Sequence, residues 1–125
     1  MKTIFVDDEP WMRLKFESET KDIEKIELVA SFQNPLKALE FAASNPVELA
    51  FLDLEMPRMN GIELAKRLRE LLPDIGIVFV SAYDSAIVCA RNDLPGCGYL
   101  MKPYNEQTLC KALDTVRPGK GGENH

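Results

Sequence analysis

Long apolar runs are missing from the sequence, and their absence excludes helical membrane proteins. No stretch approaches the ~20 apolar residues that a membrane-spanning helix needs. The amino-terminal letters MKTIFVDD lead directly into an apolar run without a signal-peptide pattern. We therefore expect a cytoplasmic protein that does not engage a membrane.

Paired cysteines and a net positive charge are also missing. The three cysteines, Cys89, Cys97 and Cys110, form no CxxC pair and lie outside any metal-ligand spacing. Because free cysteine is among the most buried residue types, we expect them to be small apolar core residues. The net charge of −5 argues against direct nucleic-acid binding. The basic letters KRLRE at 66–70 have the spacing of a solvated helix face.

What is present fits one globular domain. The sequence is 46% apolar and 28% charged, close to globular averages, and its length allows one domain with a substantial core. We assign residues 1–117 to this domain. The ending RPGKGGENH has no apolar face, so residues 118–125 are expected to be a flexible tail or a truncated linker toward a second domain.

Apolar runs bounded by turn residues predict the strands. They lie at 3–7, 26–32, 48–54, 75–82 and 97–102. Three of these runs are nearly continuously apolar, which is typical of strands covered on both faces in a parallel sheet.

Helical periodicity fills the intervals between the strands. The helices are predicted at 9–21, 35–44, 61–72, 84–94 and from Asn105, which suits an N-cap. In the second helix, Leu36, Leu39 and Ala43 share the predicted apolar face. Regular alternation of strand and helix predicts a doubly wound, three-layer α/β sandwich.

Polar residues lie at the carboxyl ends of four of the predicted strands. The first strand supplies Asp7 and Asp8, the third Asp53, the fourth Ser81 and the fifth Lys102. The carboxyl ends of parallel strands meet at one edge, which is where ligands bind in such sheets. We therefore expect these five side chains to converge.

The convergence has a chemical meaning. Three clustered carboxylates resist simultaneous ionisation, and a divalent cation resolves the conflict. Their hard oxygen ligands favour Mg²⁺ or Mn²⁺ over zinc. Lys102 and Ser81 suit phosphoryl oxygens. A carboxylate in this setting is equipped to attack phosphorus and form an aspartyl phosphate, and Asp53 is the best nucleophile candidate.

Four segments carry a family resemblance across nearly the whole chain. They are VDDE at 6–9, FLDLEMPRMNGIEL at 51–64, FVSAYD at 79–84 and GYLMKPY at 98–104. With these segments the sequence resembles a receiver domain of a two-component response regulator. The letters SAYD and YLMKPY are most similar to receivers attached to LytTR-type DNA-binding domains. The resemblance implies a flavodoxin-like fold with strand order 2-1-3-4-5.

The resemblance also implies roles at the phosphorylation site. Asp53 matches the phosphoacceptor. Asp8 matches a direct Mg²⁺ ligand, Asp7 an acid that acts largely through water, and the backbone carbonyl of Glu55 the third protein ligand. The implied phosphodonor is a sensor histidine kinase.

Further positions match the family's switch. Ser81 and Lys102 match the pair that holds the phosphoryl group, and the bond from Lys102 to Pro103 is expected to be cis. Tyr99 matches the aromatic switch residue, which turns inward when Ser81 moves toward the new oxygens. The surface expected to change is formed by the last two helices and the final strand, where a partner or a second copy would dock to form a homodimer.

Two positions predict slow self-dephosphorylation. Glu55 and Tyr83 occupy family positions that border the path of the hydrolysing water. An acid disfavours a hydroxide-like nucleophile, and a bulky phenol obstructs it.

Trp11 and Met12 have two interpretations. Core packing is the default for large apolar residues. If exposed, they would join Pro103 and Tyr104 in a docking patch for the kinase.

Alternatives from other classes stay open at this point. A phosphatase of the haloacid dehalogenase type also places a nucleophilic Asp after an apolar strand, and Glu55 has the spacing of its general acid. A flavodoxin-like electron carrier needs a phosphate loop, which the letters DDEPWM would oppose. A degenerate receiver that acts purely as an interaction module would lack an essential site residue, and none is missing.

Overall fold

The structure of the chain is a computed structural model, and it describes residues 1–116. Strand and helix alternate throughout this part. The elements are β1 (Lys2–Val6), α1 (Pro10–Thr20), β2 (Glu27–Phe32), α2 (Pro35–Ser44), β3 (Leu49–Asp53), α3 (Gly61–Leu71), β4 (Gly76–Ser81), α4 (Asp84–Asp93), β5 (Gly98–Met101) and α5 (Glu106–Thr115). These bounds confirm the predicted elements. The tail predicted at 118–125 lies outside the described residues.

The strands form one parallel sheet with the order β2-β1-β3-β4-β5. This confirms the predicted doubly wound fold. The strand order reverses between β1 and β3, so the crevice beyond their carboxyl ends is the expected ligand position.

Alternate residues of the central strands enter two separate cores, one on each face of the sheet. Leu52 and Phe79 belong to the cluster under α2, α3 and α4, whereas Phe51 and Val80 belong to the cluster under α1 and α5. Every residue of β3 and β4 is buried. The nearly continuous apolar runs are therefore explained by helices on both faces.

Three phenylalanines in contact support the sheet beneath its polar edge. Phe16 of α1 stacks on Phe5 with ring centroids 4.2 Å apart and packs against Phe51 at 4.8 Å. Tyr104 meets Phe16 edge to face at 6.5 Å. These contacts fix the strands that carry the residues next to the site.

The apolar face predicted for α2 was wrong for two of its three residues: Leu39 is partly buried against the core, but Leu36 and Ala43 are exposed. The buried residues are Pro35, Ala38 and Ala42, whereas Leu36 is 49% exposed. The small alanines pack in the same cluster as the strand residues of β1 and β3. Helices approach a sheet closely where their residues are small, so the alanines lie nearest the sheet and Leu39 packs at the side of the interface.

Two further burial predictions need correction. Cys97 is buried as expected, but Cys110 is half-buried and Cys89 is exposed. Trp11 is 62% exposed, while Met12 packs in the core. Within residues 1–116, no helix is long and apolar enough to cross a membrane.

Candidate functional site

The predicted polar residues converge at the carboxyl edge of the sheet. Asp53 and Ser81 are the last residues of β3 and β4, and Asp7 and Lys102 directly follow β1 and β5. The backbone ties the edge together, because Lys102 N donates to Ser81 O at 2.8 Å. The peptide bond from Lys102 to Pro103 is cis, as predicted.

Three carboxylates form the centre of the site. Asp7 is fully buried, Asp53 is 2% exposed, and Asp8 is half-buried. One oxygen from each lies within 4.8 Å of the others. The structure thus brings together the acidic triad that the sequence predicted.

Lys102 is the cation that faces these acids. Its Nζ lies 3.2 Å from Asp7 Oδ2, 3.5 Å from Asp53 Oδ1 and 4.0 Å from Glu9 Oε1. Burial lowers the pKa of Lys102, but the Asp53 and Asp7 carboxylates more than offset this, so its pKa is raised overall. The sequence analysis did not assign Glu9 to this group.

The repulsion among these carboxylates, together with burial, raises the pKa of Asp53. Burial and, next, repulsion from Asp7 raise the pKa of Asp53 to about 7, while Lys102 and the Glu55 N–H oppose the rise. A metal-free Asp53 therefore holds its proton far more tightly than an ordinary aspartate.

The donor set fits a hard divalent cation. It consists of carboxylate oxygens, which are the ligands that Mg²⁺ and Mn²⁺ prefer. Asp7 Oδ2 is buried and, among the described residues, receives no well-oriented hydrogen bond. A cation beside Asp8 and Asp53 would offset repulsion that one lysine leaves uncompensated. The Glu55 carbonyl, the predicted third protein ligand, lies in the loop that follows Asp53.

Ser81 makes a contact that the sequence analysis missed. Its hydroxyl is fully buried and donates to the Glu55 carboxylate, with Oε2 at 2.9 Å and Oε1 at 3.1 Å. It also accepts a hydrogen bond from Tyr83 N at 3.0 Å. The predicted strand order puts β3 next to β4, and Asp53 pairs with Val80 in the sheet. The residues that come soon after these two, Glu55 and Ser81, are therefore neighbours, and this could have been read from the strand order.

The loop after Asp53 depends on a glycine. A Cβ on Gly61 would lie 2.5 Å from the Asp53 carbonyl oxygen, so any side chain there would displace the backbone. Asn60 caps α3 by accepting from Glu63 N at 2.9 Å. Arg58 adopts a left-handed backbone with φ of 75°, a conformation that non-glycine residues rarely take.

Tyr99 lies in β5, where it pairs with Phe79 of β4, three positions before Lys102. It is half-buried, and its hydroxyl donates to Leu94 O at 3.1 Å. The Arg91 guanidinium lies over the ring, 5.0 Å from its centroid. Burial raises the pKa of the Tyr99 hydroxyl, so it remains a donor at neutral pH.

Four residues were considered for kinase docking, and they differ in exposure. Trp11 and Pro103 are exposed, whereas Met12 is buried. Tyr104 is 3% exposed and packs in the core. Tyr104 therefore does not form part of a surface patch.

Comparison with known proteins gives one family. The response regulator receiver domain matches residues 3–114. A response regulatory protein of Yersinia pestis, itself uncharacterized, is 38% identical over 90% of this chain and 47% of its own length. The transcriptional regulatory protein LytR of Staphylococcus aureus is 28% identical over 100% of this chain and 50% of its own length. The chain thus spans about half the length of these relatives.

Solved structures of receiver domains have the same fold as this chain. The response regulatory domain of MrkE from Klebsiella pneumoniae is 30% identical, with a TM-score of 0.79 over 91% of this chain and 93% of that one. The isolated receiver domain of RcsB from Salmonella enterica, solved with the phosphomimetic BeF₃⁻, is 25% identical, with a TM-score of 0.80 over 91% of this chain and 86% of that one.

Proposed function

Because the chain belongs to the response regulator receiver domain family of two-component signalling, we propose that it accepts a phosphoryl group on Asp53 from a sensor histidine kinase. The observation that carries the proposal is the close approach of the buried Asp53 carboxylate to Asp7, Asp8 and Lys102 at one edge of the sheet. The phosphatase and flavodoxin alternatives do not account for this family membership.

The transfer is a displacement at phosphorus. An Asp53 carboxylate oxygen forms a bond to phosphorus while the bond from phosphorus to the kinase imidazole nitrogen breaks, and that nitrogen takes up a proton. The reacting oxygen must be ionised, although the metal-free pKa of Asp53 is about 7. Asp8, Asp53 and the Glu55 carbonyl would hold Mg²⁺ or Mn²⁺, with Asp7 acting largely through water, and the bound ion would supply positive charge that favours the ionised carboxylate and the phosphoryl oxygens.

Two further residues hold the product. Lys102 Nζ, 3.5 Å from Asp53 Oδ1, donates to one phosphoryl oxygen, and Ser81 moves to donate to another. Tyr99 then gives up its contact with Leu94 O and turns inward. The face formed by α4, β5 and α5 changes as a result. Its exposed apolar residues Val88 and Met101 suit a homodimer contact or an output partner.

The kinase is proposed to dock beside the site on α1. Trp11 is 62% exposed and Leu14 is 66% exposed, which leaves an apolar surface next to the acid cluster. Pro103 borders the same edge. The relatives are named transcriptional regulators, so the proposed output is control of transcription through a domain beyond this chain.

We further propose that the phosphorylated form is long-lived. The exposed Tyr83 and the Glu55 carboxylate border the approach to Asp53, where they obstruct water and repel a hydroxide-like nucleophile. Tyr83→Ala is expected to shorten the lifetime of the phosphorylated form in Mg²⁺, measured by its decay after removal of the donor. A wild-type lifetime of only seconds would contradict the proposal.

The phosphorylation itself is tested by intact mass. The chain is incubated with a small phosphodonor and Mg²⁺, and a gain of one phosphoryl group per chain is expected. Asp53→Ala should abolish the gain, whereas Asp114→Ala, at an exposed acid far from the site, should retain it. No gain in wild type, or an equal gain in Asp53→Ala, would refute the phosphoacceptor role. Turnover of a generic phosphate ester would instead support a phosphatase.

A further inference from the structure

The Ser81 hydroxyl both donates and accepts hydrogen bonds in the unphosphorylated chain. A serine hydroxyl has one hydrogen to donate, and its nearest acceptors are Glu55 Oε2 and Oε1 at 2.9 and 3.1 Å, with Tyr83 O farther away at 3.4 Å. The Tyr83 N–H, 3.0 Å away, occupies an acceptor position on the same oxygen. Ser81 therefore cannot donate to a phosphoryl oxygen until it leaves Glu55.

The negative charge of the Glu55 carboxylate favours its hydrogen bond with Ser81. Among residues 1–116, no ion pair neutralises it, although Lys102 pairs with three other acids at the same edge. A hydrogen bond to an ionised acceptor is roughly twice as strong as one between neutral groups. The buried Ser81 hydroxyl is the partner that this carboxylate has.

We infer that Glu55 is a positioning residue whose carboxylate clamps Ser81 in the unphosphorylated position and so opposes the switch. The inference rests on the proposed function, since it assigns a starting position to the hydroxyl that the phosphoryl group must recruit. Phosphorylation exchanges one anionic acceptor for another. The Glu55 residue is exposed, so its carboxylate is free to be solvated once Ser81 departs.

The clamp lowers the affinity of the site for any phosphoryl-like anion that needs Ser81. Beryllofluoride is the probe, and its dissociation constant is measured by calorimetry on the whole chain in saturating Mg²⁺. We expect Glu55→Ala to bind it about tenfold more tightly than wild type, equivalent to about 1.4 kcal/mol. Glu55→Gln keeps an acceptor oxygen but not the charge, so it should fall between the two.

Removal of a negative charge would by itself favour an anion, and two controls separate this effect from the clamp. Glu9→Gln removes a charge near Lys102, 4.0 Å away, at an acid that does not contact Ser81, and should give a smaller gain. In a Ser81→Ala background, Glu55→Ala should add no more than Glu9→Gln adds there. A full tenfold gain in that background would overturn the inference, because Glu55 would then act by charge alone.

A second measurement needs no ligand. The amide of Tyr83 reports on Ser81 because it donates to the same oxygen. In the free chain, Glu55→Ala should shift the Tyr83 amide resonance in an NMR spectrum, whereas Glu9→Gln should leave it unchanged. An unmoved resonance in Glu55→Ala would overturn the clamp. If beryllofluoride bound to none of the variants, the proposed function would fail while this resonance still decided the inference.

Discussion

The two ends of the sheet place their charges differently. At the amino end, main-chain hydrogen bonds join the strands, such as Glu48 N to Lys2 O at 2.8 Å, and the pair Lys25 and Asp114 stays in solvent with side chains 67% and 71% exposed. At the carboxyl end, Asp7 and Asp53 are buried side by side. The amino end thus keeps this charged pair in solvent, whereas the carboxyl end buries like charges whose repulsion a bound cation would relieve.

The largest predicted effect tests whether packing holds the fold. Phe16→Ala removes a fully buried ring that contacts Phe5 and Phe51, so the free energy of unfolding should fall by about 3–5 kcal/mol. Trp11→Ala on the same helix removes a ring that is 62% exposed and should change it by less than about 0.5 kcal/mol. Urea denaturation measures both. Equal effects would show that α1 is not held by its buried face.

The next prediction has the opposite sign and concerns the carboxyl end. Asp53→Asn replaces a buried carboxylate whose pKa is raised to about 7 by a neutral side chain of the same shape. In EDTA at pH 7.5 we expect the free energy of unfolding to rise by roughly 2–4 kcal/mol. Asp114→Asn, its exposed counterpart at the amino end, should change it by less than about 1 kcal/mol. A destabilised Asp53→Asn would contradict the conflict assigned to this end.

The pH dependence sharpens the same comparison. Because the folded state raises the pKa of Asp53 from 3.8 to about 7, it binds the proton more tightly than the unfolded chain does. The stabilisation from this proton is complete below pH 3.8 and is lost as the pH rises to about 7. The stability of wild type relative to Asp53→Asn, in EDTA, should therefore fall by about 1.4 kcal/mol per pH unit within this window.

Saturating Mg²⁺ provides the control for that titration. The ion favours the ionised carboxylate, so the decline between wild type and Asp53→Asn should flatten when Mg²⁺ replaces EDTA. Denaturation at several pH values with each additive measures the effect. A difference that stays independent of pH in EDTA would show that Asp53 titrates normally.

The smallest prediction shows that polar groups at the carboxyl end are not all in conflict. Asn105 caps α5 by accepting from Thr108 N at 2.9 Å, and Thr108 Oγ1 accepts from Asn105 N at 3.0 Å. Asn105→Ala should lower the free energy of unfolding by about 1 kcal/mol, and Asn105→Ser should restore most of it. A loss in Asn105→Ser as large as that in Asn105→Ala would show that the cap is not the cause.

The sequence predicted the fold and the convergence of the site for one physical reason. Buried parallel strands have a period and an end that are both visible in the letters, so the residues that follow Val6, Leu52 and Val80 had to share an edge. Asn105 was found because capping depends on local geometry. These features need neighbours in the chain and little knowledge of side-chain conformation.

The predictions that failed needed side-chain packing in three dimensions. The spacing of Leu36, Leu39 and Ala43 fits a helical face as well as that of Pro35, Ala38 and Ala42, and the choice depended on how closely α2 approaches the sheet. The contact between Glu55 and Ser81 joins a loop to the end of β4, 26 positions away in the sequence, and it depends on which way the Glu55 side chain turns. Periodicity contains neither kind of information.

The central claim is that a divalent cation resolves the crowding of carboxylates at the carboxyl end. Anomalous diffraction from crystals of the whole chain grown with Mn²⁺ tests it most directly, with Asp8→Asn crystals as the control. The account predicts one manganese peak per chain in contact with Asp8 and Asp53, and its loss in the Asp8→Asn variant. An absent peak in wild type, or an ion bound away from Asp53, would contradict it.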